Sequence, residues 1–258
     1  MKFKIINADF SQPAAMMAYV IGTLPPGRDE SVIRNVKITV ADRQLTLQAT
    51  DETVQLSYTV LLSEVEEGGS CMVGARQLAD TVKELDNTSL LDISFTDSSN
   101  LTIQASDGSR FKINASEPLN FPTFTQNDEM PQVTRLPQKH LKYFTDMCLP
   151  YVFVDAFREY LRGMRLETMP DGTFQAVGCD GHRLALAKAR LTEMPANPLG
   201  LLITRRMTEV MGRILDDKSE APVELRCNEG KCMVSANGYV LVGRLLTCPY
   251  PMIDSIIP

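Results

Sequence analysis

The chain has 258 residues, of which 44% are hydrophobic, and a formal net charge of −6. This length and composition predict one large domain or two ordinary ones and exclude a disordered chain. No stretch approaches the roughly 18 apolar residues of a membrane span, and the first residues lack the apolar run of a secretory signal. We therefore expect a cytoplasmic protein. Its acidic average argues against a conventional nucleic-acid binder, although a basic surface can coexist with it.

The six cysteines and two histidines are scattered along the chain. No pair of cysteines has the CxxC spacing that is typical of a zinc site, so we expect reduced, buried thiols, no metal and no cofactor. Asp180 and His182 are close in sequence, but no GxSxG elbow or comparable nucleophile motif accompanies them. The sequence therefore predicts a protein that is not an enzyme.

An internal repeat is the most informative feature of the sequence. An offset of 129 residues brings Asp51 onto Asp180, and blocks of similar residues coincide in the same order along most of the chain. The other coincident pairs are Thr50 with Cys179, Arg76 with Arg205, Phe111 with Val240, Ile113 with Val242, and Phe121-Pro122 with Tyr250-Pro251. The repeat predicts two domains, 1–125 and 134–258, joined by a polar, proline-containing linker over 126–133.

The predicted elements follow the same order in both copies. In the first copy they are a helix over 12–21, strands over 36–40, 45–50 and 54–62, a helix over 76–85, and strands over 90–96, 100–106 and 110–116. In the second copy they are a helix over 138–147, strands over 164–169, 173–178 and 183–191, a helix over 205–215, and strands over 223–227, 231–236 and 239–246. Asp107-Gly108 and Asn237-Gly238 are typical of hairpin turns. Each copy is therefore predicted to pack two helices on antiparallel sheets, an α+β fold.

Basic residues are concentrated on three of the predicted helices. These helices carry a net charge of +3, against −9 for the rest of the chain. The bias favours a surface that contacts the phosphates of double-stranded DNA without reading its sequence, whereas any one of these cations could simply solvate a helix face. The candidate DNA-binding residues on these helices are Arg76, Arg205, Arg206 and Arg213.

Several segments resemble the bacterial beta sliding clamp, which is the beta subunit of DNA polymerase III. They are AVGCDGHRLALAKARL from Ala176, TyrLeuArgGlyMet at 160–164, the last ten residues, SerArgPheLysIle at 109–113 and AsnPheProThrPhe at 120–124. The resemblance covers nearly the whole chain. It implies two tandem clamp domains, no membrane association, and a function in DNA replication as a processivity factor that tethers a DNA polymerase to duplex DNA.

The family's usual chain has three such domains and dimerises into a ring of six, whereas this resemblance ends with the second domain. Two alternatives follow. A shortened chain would be a monomer and act as a non-ring fragment or a regulatory decoy that binds clamp partners. A two-domain clamp would close a ring as a trimer. The mass in solution distinguishes the two.

The resemblance also implies site residues. Polymerase and clamp loader would insert short peptides into a groove whose half on this chain consists of Leu161, Cys179, Gly181, His182, Arg183, Leu184, Pro251 and Ile256. Cys179 replaces a usual threonine and Ser255 a usual basic residue, so we expect weakened peptide binding. For His182, a role as a hydrogen-bonded turn residue is the alternative.

Two further sites are implied by the same resemblance. Arg28, in a Pro-Pro-Gly-Arg loop, matches an arginine that touches DNA, whereas Asp155 is acidic where many relatives have an amide. Phe111 and Ile113 match a strand at the ring interface, and the alternative is an ordinary core strand.

Overall fold

A computed structural model describes residues 1–22, 32–96, 99–122, 124, 130–153, 157–190 and 199–251. The chain divides into two compact units, Met1–Phe124 and Thr125–Pro258. The described part of each unit contains two α-helices and antiparallel strands, which confirms the predicted α+β class and the duplication. None of the helices in the described ranges is long and apolar enough to cross a membrane.

Unit 1 is built on strands in the order β4-β3-β2-β6-β9-β8-β7-β1-β5. Its elements are β1 (Lys2–Ile6), α1 (Asn7–Ile21), β2 (Asn35–Ala41), β3 (Gln44–Thr50), β4 (Val54–Leu61), β5 (Glu64–Glu67), β6 (Gly69–Gly74), α2 (Ala75–Lys83), β7 (Leu90–Phe95), β8 (Asn100–Ala105) and β9 (Arg110–Ser116). Alternate residues of β2 and β3 are buried, as expected for strands with one face toward a core.

Unit 2 has two four-stranded groups, β10-β15-β16-β17 and β13-β12-β11-β14. Its elements are β10 (Gln132–Pro137), α3 (Gln138–Cys148), β11 (Gly163–Thr168), β12 (Thr173–Cys179), β13 (Leu184–Arg190), β14 (Gly200–Thr204), α4 (Arg205–Ile214), β15 (Pro222–Cys227), β16 (Lys231–Ala236) and β17 (Tyr239–Arg244). Short 3₁₀ turns occupy Leu149–Tyr151 and Glu159–Arg162. The predicted starts and ends of α2, α3 and α4 agree with the structure within two residues.

The first helix begins five residues before its predicted start and contains Pro13 in its interior. Its first backbone N–H groups find hydrogen-bond acceptors in a distant part of the sequence. Asn7 and Ala8 donate to the carbonyls of Ser89 and Asn87, each at 2.9 Å. The Asn7 side chain also donates to the carbonyl of Val82, in the last turn of α2, and to that of Leu85, just beyond the helix, each at 3.0 Å. The prediction was wrong here because these tertiary bonds satisfy the helix end, which local sequence does not reveal.

Gln138 takes the same role in unit 2, at the first residue of α3. Its backbone N–H donates to Ala221, and its side chain exchanges hydrogen bonds with the Asn237 amide at 3.0 and 2.9 Å. Asn237 in turn donates to the Ile214 carbonyl at the end of α4. Asn237 and Gly238 both have positive φ, 53° and 78°, as the predicted hairpin turn requires.

The approach of α3 to β12 depends on Gly178. A Cβ at this position would lie 2.4 Å from the carbonyl oxygen of Cys148, the last residue of α3. The rings of Phe144 and Phe174 pack with centroids 5.7 Å apart in the same layer. The close contact sets the position of the turn that follows α3, which leads to the candidate site.

Candidate functional site

The hairpin between β12 and β13 carries most of the residues predicted for the peptide groove. The Asp180 N–H donates to the Arg183 carbonyl at 3.2 Å, so Gly181 and His182 are the two central turn residues. Gly181 has a φ of +91°, a backbone conformation that favours glycine. His182 and Arg183 are exposed at this turn.

The Asp180 carboxylate organises the turn. One oxygen accepts the backbone N–H groups of His182 and Arg183 at 2.9 and 2.7 Å, and the other accepts Nε and an η nitrogen of Arg183 at 3.0 and 2.9 Å. The two backbone hydrogen bonds, followed by the contact with Arg183, lower the pKa of Asp180 to about 2. The carboxylate is therefore ionised at neutral pH, and the backbone of His182 belongs to a hydrogen-bonded turn.

Arg183 has a defined orientation although 69% of its side chain is exposed. Its guanidinium carbon lies 5.3 Å from the centre of the Tyr151 ring, within the range of a cation–π contact. The carboxylate of Asp180 binds the same guanidinium. Two contacts thus present the cation at the surface.

An apolar floor lies beside this turn. Leu161 is 9% exposed, and its Cδ1 would be 3.7 Å from a Cβ on Gly181. The Cys179 sulfur accepts the N–H of Gly181 at 3.4 Å, while Leu184 is half-buried. The structure therefore places Leu161 beside the hairpin residues 179–184.

Tyr250 and Pro251 follow the last strand. The rings of Tyr250 and Tyr160 meet edge to face at 5.8 Å, and Tyr160 directly precedes Leu161. Burial raises the pKa of Tyr250, whose hydroxyl has no hydrogen-bond partner within the described part of the chain. Pro251 is exposed. Ser255 and Ile256 lie outside the described residues.

One concavity of unit 2 lies away from these residues. A cavity of about 550 Å³ lies between Arg165, Leu202, Asn228 and Leu246, and none of the predicted groove residues lines it. Among the described residues, the candidate peptide surface is an exposed hairpin beside the buried Leu161.

The predicted DNA-binding cations lie on α2 and α4. Arg76 is 94% exposed and 3.8 Å from Asp80, and Arg213 is exposed in the last turn of α4. Arg205 and Arg206 contact Glu209 at 2.9 and 3.5 Å, and on α3 Lys142 contacts Asp146 at 2.6 Å. The pair of Arg76 and Asp80 is exposed, and such pairs contribute about 0 to 1 kcal/mol, so a phosphate can replace this carboxylate. Arg28 and Asp155 fall outside the described ranges.

The predicted interface strand is β9. Ile113 is 1% exposed and Phe111 is half-buried. In the described part of the chain β8 pairs with 110–114, while β6 pairs only with Ala115 and Ser116. One edge of β9 over 110–114 therefore lacks a strand partner there. Ile113 belongs to the core, and Phe111 lies on the strand with the open edge.

Some residues of the site carried no usable signal in the sequence. Tyr151 and Glu209 were not predicted, because their roles depend on contacts with Arg183 and Arg205. Tyr160 belongs to a segment that resembles the family, and Tyr250 is the repeat counterpart of Phe121, so a signal for these two existed.

Cysteine and acidic residues offer little for metal or thiol chemistry. The described ranges contain no group of three or more His, Cys, Asp or Glu side chains placed to hold a metal ion. Burial raises the pKa of Cys71 and of Cys148 to about 12, which keeps both thiols protonated at neutral pH.

Comparisons with known proteins agree along the whole chain. Residues 1–125 match the family described as DNA polymerase III beta subunit, N-terminal domain, and residues 135–252 match its central domain. The chain is 28% identical over 261 residues to the beta sliding clamp of Pseudomonas putida and 28% identical over 260 residues to that of Vibrio cholerae, covering all of this chain and 68% of either relative. A crystal structure of the sliding clamp from Pseudomonas aeruginosa superimposes with a TM-score of 0.89 at 26% identity, again over 100% of this chain and 68% of that one.

Proposed function

Because this chain belongs to the DNA polymerase III beta subunit family of bacterial sliding clamps, whose members are non-catalytic processivity factors, we propose that it tethers a DNA polymerase to duplex DNA as a clamp subunit. The observation that carries this proposal is the ordered match of two clamp domains over residues 1–125 and 135–252. DNA and a polymerase are its partners in this role.

The DNA contacts are made by cations on the helices. Arg76 and Arg213 are exposed on α2 and α4, and Arg206 contacts Glu209. Arg28, in its predicted Pro-Pro-Gly-Arg loop, adds a fourth cation. Contacts of this kind bind phosphates and carry no sequence information, which suits a protein that must slide along DNA.

Polymerase and clamp loader bind through short peptides at the β12–β13 hairpin. Leu161 and Pro251 provide apolar contact, while His182 and Arg183 provide polar contact beside them. Apolar residues with a few fixed polar groups beside them are typical of peptide-binding surfaces. The replacement of a usual threonine by Cys179 and of a usual basic residue by Ser255 supports weakened binding.

Self-association proceeds through β9, whose edge over 110–114 can accept another strand. A ring of two-domain chains needs three copies. Light scattering that gives three times 28.7 kDa supports this assembly. A mass of 28.7 kDa supports instead a monomer that acts as a decoy for clamp partners.

The DNA-binding part is tested by duplex affinity as a function of salt concentration. Wild-type protein is expected to bind two duplexes of unrelated sequence equally, with log K falling linearly with log salt. Arg76→Glu combined with Arg213→Glu should reduce the slope by about two, because two phosphate contacts are lost.

Lys218→Glu is the matched control, since Lys218 is an exposed cation between α4 and β15 and not on a helix. It should leave the slope unchanged. A double variant with the wild-type slope, or a wild-type preference for one duplex, would contradict the proposal.

A further inference from the structure

Arg205 differs from the other helix cations in the groups that its guanidinium binds. It lies in the first turn of α4, where the helix dipole disfavours a positive charge. Only 29% of its side chain is exposed. Its Nε donates to Glu209 at 2.9 Å, while an η nitrogen donates to the carbonyl of Leu149 at 3.1 Å and to that of Val152. The guanidinium therefore binds the turn that follows α3.

This turn contains Tyr151, one of the two residues in the described ranges that contact the Arg183 guanidinium. Tyr151 lies between the two carbonyls that Arg205 binds, and its ring packs on the Arg183 guanidinium at 5.3 Å. The Val152 N–H donates to Leu149 at 3.1 Å, which closes the turn. The position of the Tyr151 ring thus depends on a turn whose carbonyls Arg205 binds from α4.

A second link runs from the same turn to the apolar floor. Phe153, next to Val152, donates its N–H to the Leu161 carbonyl at 2.9 Å. Leu161 in turn lies against Gly181, 3.7 Å from the position of its absent Cβ. Both the cation and the floor of the candidate groove are therefore connected to the turn that Arg205 holds.

We propose that Arg205 is a positioning residue for peptide binding: it fixes the 149–152 turn so that Tyr151 orients Arg183 and Phe153 supports Leu161. This role rests on the proposed function of the hairpin as a peptide site. It also separates Arg205 from Arg76 and Arg213, since a guanidinium that binds two backbone carbonyls and a carboxylate has few donors left for a phosphate.

The first test compares Arg205→Ala with Lys142→Ala in binding to a labelled peptide that copies the carboxyl-terminal tail of a bacterial DNA polymerase. Lys142 is a paired cation of the same unit but does not hold the turn. Arg205→Ala should weaken peptide binding by about threefold to thirtyfold, the usual range for a residue that acts through others. Lys142→Ala should bind the peptide like wild type, and Arg205→Ala should keep the wild-type salt slope for duplex DNA.

The second test does not depend on Arg205 and remains decisive if Arg205→Ala fails to fold. Tyr151→Phe keeps an aromatic ring under Arg183, whereas Tyr151→Leu keeps only apolar volume. Tyr151→Phe should bind the peptide like wild type, and Tyr151→Leu about twofold to fivefold more weakly, the effect of one exposed cation–π contact.

Equal peptide affinities of Tyr151→Leu and Tyr151→Phe would overturn the proposal. So would an Arg205→Ala variant that loses about one unit of salt slope on DNA and keeps its peptide affinity, because Arg205 would then be a phosphate ligand. Wild-type protein that does not bind the peptide at all would instead refute the proposed groove, so the two failures are distinguishable.

Discussion

The hairpin between β3 and β4 in unit 1 and the hairpin between β12 and β13 in unit 2 are built on the same hydrogen bonds. Asp51 donates its N–H to Val54 at 3.2 Å, and its carboxylate accepts the N–H groups of Thr53 and Val54, each at 2.9 Å. Asp180 makes the corresponding bonds with the next residues of unit 2. The duplicated turn was therefore kept in both copies.

The two hairpins differ in the side chains that they present. Where unit 1 has Val54, which is fully buried, unit 2 has Arg183, which is exposed and held by Asp180 and Tyr151. Where unit 1 has Glu52 at a φ of +71°, unit 2 has Gly181 at +91°. The same hydrogen-bonded turn thus presents a core side chain in unit 1 and a surface side chain in unit 2. The two turns differ in their side chains and not in these hydrogen bonds.

The largest expected effect concerns the strand residue two positions before the aspartate of each hairpin, which is Ala49 in unit 1 and Gly178 in unit 2. Gly178→Ala should reduce the free energy of unfolding by about 3 kcal/mol, since the new Cβ would overlap the Cys148 carbonyl. Urea denaturation followed by far-UV circular dichroism measures the change. The reverse substitution, Ala49→Gly, should cost only about 1 kcal/mol. A Gly178→Ala variant as stable as wild type would show that α3 does not depend on this glycine.

A smaller effect of opposite sign is expected from Glu52→Gly. Glu52 adopts the left-handed region, which strains a residue with a Cβ, and glycine relieves that strain. The free energy of unfolding should rise by about 1 kcal/mol in the same urea experiment. The matched change in unit 2, Gly181→Ala, should lower it by a similar amount. An Ala variant without cost would mean that the two turns differ in backbone strain.

The smallest effect concerns pH and the turn of unit 2. The pKa of Asp180 is about 2 in the folded chain, below the value of about 3.9 in an unfolded one. The stabilisation from this carboxylate is therefore present above about pH 4 and is lost as the pH falls toward 2. An NMR titration of the Asp180 carboxyl should show a midpoint near 2, with Asp180→Asn to assign the signal. Arg183→Val, which copies Val54, should raise the pKa of Asp180 only slightly, because the two backbone N–H groups cause most of the shift. A titration midpoint near 3.9 in the wild-type protein would exclude these hydrogen bonds.

The sequence predicted much of this architecture and part of the site. The repeat, three of four helices and the order of the longer strands were accessible, because apolar periodicity and the repeated Asp hairpin are local signals. Strands β1, β5, β6, β10 and β14 were missed; three of the four residues of β5 are glutamate and give no apolar alternation. The use of Arg205 and Tyr151 could not be predicted, because both act across distances in sequence that only the fold brings together.

The central claim is that the hairpin of unit 2 is a binding surface whereas its twin in unit 1 is structural. It is tested by exchanging the residues that distinguish their turns and measuring binding of the labelled polymerase-tail peptide by fluorescence anisotropy. Gly181→Glu, which copies unit 1, should weaken binding by about tenfold, a free-energy change of about 1.4 kcal/mol, whereas Glu52→Gly should bind the peptide like wild type. Equal affinities of the two variants, whether both unchanged or both reduced, would contradict the claim.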